Sequence, residues 1–208
     1  MKWELKKQMN LDKNTRFVLL RHGETVYNIE KRLQSSKDSL TARGKLQIEN
    51  LRQNLLKFNF EKIISSDETR AIETAKIISS WSNSSFEIEP LIKEKNSGSF
   101  SDKLVSEVDW SLVKGTFFDK KTPLGESVND VVDRAKDFFK KMNEFEQNKT
   151  FLVVSHGTLL RVLICIIFNK DIEDYLLNYE FPNATYLVIK KSGDGNWELE
   201  ESSLIKKK

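Results

Sequence analysis

Phe17-Val18-Leu19-Leu20, running into Arg21-His22-Gly23-Glu24-Thr25, is the stretch around which this chain is organised. Four consecutive apolar residues ahead of a polar cluster read as a buried strand, so the charged motif stands where the strand ends and a loop begins. Open α/β sheets place their ligands at the carboxyl ends of such strands. The arrangement occurs a second time, where Phe151-Leu152-Val153-Val154 runs into Ser155-His156-Gly157-Thr158. The chain has only two histidines, and each lies between a strand-like run and a glycine.

Outward from these two points, strands alternate with helices. The first strand is expected from about Arg16 to Leu20. Thr41 stands at an N-cap position, and Ile48, Leu51 and Leu55 share one face of a predicted helix ending near Lys57. Lys62-Ile63-Ile64-Ser65 is the second strand. Ser66 or Asp67 is expected to cap the next helix, with Ala71, Ala75 and Ile78 turned inward. Arg70 then falls in the first turn, where a cation costs up to ~1 kcal/mol against the helix dipole unless an anion binds there. Phe86 to Glu89 alternates like an edge strand that Pro90 stops. Asn96 to Thr122 is irregular, with a short helix predicted near Val105 to Val113, and excursions of this length often touch substrate. Ser127 caps a long helix with Val128, Val131, Ala135, Phe138 and Met142 at helical spacing. A helix from about Leu159 to Phe168 follows the strand at Phe151. The last strands, Thr185 to Ile189 and Asn196 to Leu199, are joined by the turn Ser192-Gly193-Asp194-Gly195. The alternation predicts an α/β fold, a three-layer α/β/α domain with a mainly parallel central sheet, over residues 16–208. Residues 1–15 read as a polar N-terminal extension with a helical turn at Trp3-Glu4-Leu5.

Composition narrows the function. In 208 residues, 38% hydrophobic and 31% charged, the net charge is only +3 with both signs interspersed. That balance gives no reason to expect nucleic acid as a partner. Lys206-Lys207-Lys208 reads as a frayed polar end. The single cysteine, Cys165, lies in the apolar run Leu163 to Phe168 and reads as a core residue. The first 15 residues lack an apolar h-region, and Leu159 to Phe168 is too short to span a bilayer and contains Arg161. A soluble cytoplasmic protein with no membrane partner is the expectation. No apolar surface stripe stands apart from the core, so oligomeric state is left open.

Several chemistries lack their residues. There is no His-Glu-x-x-His or cysteine pair for a metal, no Walker loop, no Gly-x-Gly-x-x-Gly and no Gly-x-Ser-x-Gly. What fits is a histidine acting on phosphate, with arginines as the anion clamp. Imidazole is largely unprotonated at neutral pH and is a competent nucleophile. Guanidinium forks match phosphate oxygens bidentately, as lysine cannot. A lone histidine at a strand end more often satisfies backbone groups, but two disposed alike favour chemistry.

Arg21-His22-Gly23-Glu24-Thr25 with Asn28 resembles the signature of the histidine phosphatase superfamily, the phosphoglycerate mutase-like proteins. Ser65-Ser66-Asp67-Glu68-Thr69-Arg70-Ala71 with Thr74-Ala75, Lys93-Glu94, Gly125-Glu126-Ser127 and Ser155-His156-Gly157 agree with it in order, so the resemblance covers about Arg16 to Ile189. It implies that His22 attacks phosphorus and becomes a phosphohistidine. Arg21, Arg70 and His156 would hold the phosphoryl oxygens, with Asn28 and the backbone N–H of Gly157 as further donors. Glu94 would protonate the leaving oxygen and then take a proton from water. Its plain alternative is a surface acid between Lys93 and Lys95. Glu24 is expected to be structural, and Glu126 to cap or orient. The implied partner is a small phosphorylated substrate, with no metal or organic cofactor.

The chain departs from the family pattern at Ser35 and at Asp38-Ser39-Leu40-Thr41, where a glycine and a proline are usual, and at Asn96 to Phe100. Phosphoglycerate mutases of this family carry a longer, arginine-bearing insertion after the acid. Here no arginine lies between Arg70 and Arg134, so hydrolysis of a phosphomonoester is favoured over mutase-type transfer. A weakly active phosphate-binding interaction module is the remaining alternative, against which the presence of Glu94 argues.

Overall fold

The structure, a computed structural model, describes residues 14–207. The turn expected at Trp3-Glu4-Leu5 lies outside the described residues. At the centre is β1 (Thr15–Arg21), which extends one residue beyond the expected Arg16 to Leu20 at each end. It pairs in parallel with β4 (Thr150–Ser155) and antiparallel with β6 (Tyr186–Lys191). Beyond β4 lie β2 (Lys62–Ser65) and β3 (Phe86–Ile88), both parallel. Beyond β6 lies β7 (Trp197–Glu201), antiparallel to it across the Ser192 to Gly195 turn. The six-stranded sheet thus runs β3-β2-β4-β1-β6-β7, parallel over its first four strands.

Alternation along the strands sorts the core into two faces. Phe17 and Leu19 of β1, with Phe151 and Val153 of β4, pack with α5 (Val128–Glu144) and α6 (Gly157–Phe168). Val18, Leu20, Leu152 and Val154 face the other way, onto α2 (Ala42–Asn50), α3 (Arg52–Leu56) and α4 (Thr69–Ser82). The predicted three layers are therefore present, because the two central strands are apolar on both faces.

Local departures have local causes. The helix expected from Thr41 to Lys57 is split into α2 and α3 at Leu51, whose N–H turns to Ile48 O at 3.1 Å. No α-helix forms at 105–113. That segment makes two 3-10 turns, Val105–Glu107 and Trp110–Leu112. It is tied down by its start, since Asp102 N–H donates to Leu33 O at 2.8 Å and Leu33 N–H to Lys103 O at 3.0 Å. The excursion is thereby strapped to the loop following a short helix, α1 (Val26–Glu30). Two features lack an apolar pattern strong enough to announce them: α7 (Ile172–Asn178), capped by Asp171, and a small ladder of β5 (Tyr179–Glu180) with β8 (Ile205–Lys206). No helix among the described residues is long and apolar enough to cross a membrane.

Candidate active site

The register of the central pair brings the two histidines together. Arg21 lies opposite Ser155, and His22 N–H donates to Ser155 O at 3.1 Å. The imidazoles of His22 and His156 consequently sit with centroids 5.1 Å apart, both fully buried. His22 Nδ1 lies 2.7 Å from Gly23 O. A carbonyl can only accept, so Nδ1 carries the proton and Nε2 carries the lone pair. The main chain is braced from behind, where Ala184 N–H and Asn183 Nδ2 both donate to His22 O. Burial, reinforced by the Arg70 and Arg21 guanidiniums, holds the His22 imidazole well below its ordinary pKa.

Arg70 occupies the second position of α4 and is wholly buried. Its Nε donates to His22 Nε2 at 3.2 Å and its NH1 to Ser35 O at 2.8 Å. NH2 donates to the Glu68 carboxylate. Neither Ser66 nor Asp67 caps α4. Glu68 is the N-cap residue and its side chain makes no capping bond, because its carboxylate is turned to Arg70 and to His156 Nε2, 3.2 Å away. Ser66 Oγ is engaged on the same Nε2 at 2.8 Å. At the opposite edge of the ring, His156 Nδ1 is buried without a partner. Burial first, then Arg70, His22 and Arg21, keep this imidazole neutral as well.

Arg21 leans across the first turn of α6. Its NH1 donates to Phe181 O at 2.6 Å, whereas its buried Nε has no partner. Burial pulls its pKa down to about 10, with Glu94 opposing and Arg161 and Arg70 assisting. Gly157 opens α6, so its N–H is among the first-turn groups for which a helix has no internal acceptor. A Cβ there would sit 3.6 Å from Arg21 Nε, in ordinary contact with the guanidinium, which shows how closely Arg21 lies over this turn.

Glu94 forms the wall of the cleft. Its Oε1 accepts from Lys95 N–H at 2.9 Å and its Oε2 from Thr158 N–H at 3.1 Å. Burial alone would push this carboxyl up. The two N–H donors and the Arg70 and Arg21 guanidiniums outweigh burial and hold it below its ordinary range. It is therefore a member of the cluster and not a free surface acid. Its loop is held by Arg134 of α5, which donates to Leu91 O, Lys93 O and Glu94 O at 2.6–3.1 Å and pairs with Glu126 at 3.0 Å. Glu126 pairs with Arg134 and accepts from Asn96 N–H at 2.8 Å, and Arg134 does the holding. A polar cleft of about 410 Å³ opens outward past Arg21, Asn28, Glu94, Thr158, Arg161 and Glu180.

Asn28 departs most from its expected part. Its Oδ1 closes the capping box of α1 by accepting from Thr25 N–H at 3.1 Å, and it also accepts from Asn183 Nδ2 at 3.0 Å. Only the Nδ2 group is left over for the cleft it lines. Glu24 is structural, bonded to Thr41 Oγ1 and paired with Arg43. Glu68, Ser66, Arg134 and Asn183 are absent from the sequence-based set. Of these, only Glu68 carried a signal, as an acid two residues before the arginine of the clamp.

Comparison with known proteins gives the family. The family model of the histidine phosphatase superfamily (branch 1) matches residues 17–203. A relative from Erwinia tasmaniensis, named probable phosphoglycerate mutase GpmB, is 32% identical over 157 residues, which are 72% of this chain and 73% of the relative. Its namesake from Escherichia coli strain K12 is 33% identical over the same shares. Among solved structures, Bacillus stearothermophilus YhfR superposes with a TM-score of 0.81 at 24% identity, over 90% of this chain and 96% of that one. The alpha-ribazole phosphatase of Shigella flexneri gives 0.79 at 23% identity, over 89% and 95%. With the family match running from the central strand past the last strand of the sheet, this chain belongs to the histidine phosphatase superfamily, branch 1.

Proposed function

We propose that the protein hydrolyses small phosphomonoesters through a phosphohistidine on His22, without a metal. The observation that carries this reading is a pair of buried, unpartnered nitrogens in the cluster of a histidine of fixed tautomer. Arg21 Nε and His156 Nδ1 are buried and unpartnered, and the lone pair of His22 lies on Nε2. Buried polar groups left unsatisfied cost about 1–3 kcal/mol each, so a site that keeps two of them is built for an anionic visitor. Guanidiniums and an N–H donor converging on one point suit the three oxygens of a phosphoryl group.

The steps follow from these positions. The entering phosphoryl group takes the Arg70 Nε–H away from His22 Nε2, and the freed lone pair attacks phosphorus. The P–N bond forms as the bond to the leaving oxygen breaks, and Glu94 gives that oxygen its proton. In the empty site Glu94 is held ionised. A dianion placed beside it offsets the guanidiniums and raises its pKa, so it binds a proton as substrate binds. Water, deprotonated by Glu94, then cleaves the phosphohistidine and releases inorganic phosphate. The cleft beyond is lined almost wholly by polar and charged side chains, which suits a hydrophilic leaving group.

Transfer between phosphoglycerates is the second reading, favoured by the names that the relatives carry. The lack of any arginine between Arg70 and Arg134 speaks against it, since that segment offers a substrate carboxylate no guanidinium, and Arg161 of the cleft is engaged on the carbonyls of Gly157, Leu176 and Tyr179. The test is phosphate release from an aryl phosphate with chelator present. Turnover is expected in the wild type and is expected to vanish in His22→Ala. Undiminished release by that variant overturns the mechanism. Acid-labile phosphate trapped on His22 checks the covalent step, and phosphoglycerate interconversion faster than phosphate release would favour the second reading.

A further inference from the structure

Glu68 is a carboxylate inside the phosphoryl cluster that the steps above do not use. It is 9% exposed and its Oε2 touches two members of the clamp, Arg70 NH2 and His156 Nε2. An acid inside an anion site opposes the binding of an anion. Its presence needs a reason.

The reason lies in the two edges of the His156 ring. Nε2 faces Ser66 Oγ at 2.8 Å and Glu68 Oε2 at 3.2 Å, while Nδ1 is the unpartnered edge. A neutral imidazole carries a single N–H. With Glu68 ionised and His156 neutral, that hydrogen sits on Nε2 and points at the carboxylate. Nδ1 then offers a lone pair, which repels a phosphoryl oxygen. One more proton on the pair reverses this. Whether the pair is carboxylic acid with neutral imidazole or carboxylate with imidazolium, the Nε2 edge is satisfied and Nδ1 bears a hydrogen. Ser66 Oγ can donate or accept, and it adapts to either state.

Resting on the phosphatase reading above, we propose that Glu68 is a positioning residue that holds at His156 Nε2 the proton making Nδ1 a hydrogen-bond donor to the phosphoryl group. In the empty site the proton resides on Glu68. Burial pushes the carboxyl up to about 7, with Glu94 and Asp67 assisting and Arg70 opposing. Around His156, Arg70, His22, Arg21 and Arg134 disfavour a cation. A phosphoryl dianion at Nδ1 reverses that balance and draws the proton from Glu68 Oε2 to Nε2. No proton enters or leaves the pair in this transfer. The site thereby gains a cation when its ligand arrives and carries a compensated acid when it is empty.

The test is the pH dependence of kcat/KM between pH 6 and 9, with one aryl phosphate for all proteins so that substrate ionisation cancels. The wild type is expected to lose activity at the alkaline end, approaching tenfold per pH unit, as the pair gives up its proton. In Glu68→Gln the amide oxygen stays on Arg70 NH2 and accepts from His156 Nε2–H, which leaves a lone pair on Nδ1, so kcat/KM at pH 6–7 is expected to fall towards the alkaline wild-type level and the limb to flatten. In Glu68→Leu it is expected to move to lower pH, because His156 must hold the proton alone. The same alkaline limb in wild type and Glu68→Gln overturns the proposal. Nitrogen NMR of wild-type protein saturated with inorganic phosphate at pH 6.5 provides a reading without substitution. A protonated Nδ1 on His156 is expected, and a lone-pair shift there overturns the proposal. Turnover that survives His22→Ala would instead defeat the phosphatase reading, so the two failures are separable.

Discussion

At the scale of the residue, the groups that touch phosphate and the groups that hold them differ in how visible they are in sequence. His22, Arg21 and His156 stand beside apolar runs, and that adjacency alone places them at strand ends. Arg70 is betrayed by sitting where a cation opposes the helix dipole. Glu94 is flanked by two lysines and cannot be told from a solvated acid by its neighbours. What sets it apart is Thr158 N–H, which is 64 positions away. Arg134 is likewise hidden, because its value comes from carbonyls 40 to 43 positions away. Its own helix gives it an ordinary place. Arg134→Met leaves those carbonyls and the Glu126 carboxylate without their partner. A loss of roughly 3 kcal/mol in urea unfolding is expected. Because the phosphate clamp stands on other elements, kcat is expected to fall up to ~100-fold with little change in KM. Steady-state kinetics on the folded variant check this, and an unchanged kcat would show that Glu94 keeps its place without Arg134.

At the scale of the element, the motif loop needs its glycine for proximity. Gly23 does not have a positive φ. A Cβ on it would meet Gly44 O of α2 at 2.6 Å, and a Cβ on Gly44 would meet Glu24 O at 2.1 Å. The first turn of α2 is thus packed backbone to backbone against the loop that carries His22, and Thr41 N–H donates to Glu24 O at 2.9 Å across the same contact. The apolar pattern of α2 was readable, but this crossing was not, since no hydrophobic residue marks it. Gly44→Ala gains up to ~1 kcal/mol of helix propensity. It must still displace main chain, and a net loss of about 1–3 kcal/mol is expected together with reduced turnover. Gly193→Ala, in the β6–β7 turn with nothing within 4 Å of its Cβ, is the control and is expected to change stability by less than ~0.5 kcal/mol. Denaturant midpoints for the two variants decide the matter. Equal midpoints would mean that α2 moves away from the loop at no cost.

At the scale of the whole molecule, the site taxes the fold, and the tax depends on pH. Two imidazoles are held neutral below their ordinary range. As pH falls through about 6.5 the unfolded chain takes up two protons that the native site refuses, and stability present above that pH is lost. Glu68 acts in the opposite sense. Its folded pKa, about 7, lies above the unfolded value of about 4.3, so the native state binds the extra proton between those limits. Its contribution is greatest at the acid end and is lost as pH rises through 7. Below about pH 6 the three groups sum to one net proton favouring the unfolded chain, a slope of about 1.4 kcal/mol per pH unit. Glu68→Gln removes the opposing group, so the slope between pH 6 and 5 is expected to approach twice the wild-type value. Inorganic phosphate relieves the same tax, because it binds only the folded site, and at a hundred times its Kd it is expected to add about 2.7 kcal/mol. Urea unfolding of both proteins at pH 5, 6 and 7, with and without phosphate, measures these terms together. Parallel slopes in the two proteins would mean that Glu68 is already ionised in the native state at pH 5, and the buried proton would then have to be sought elsewhere in the cluster.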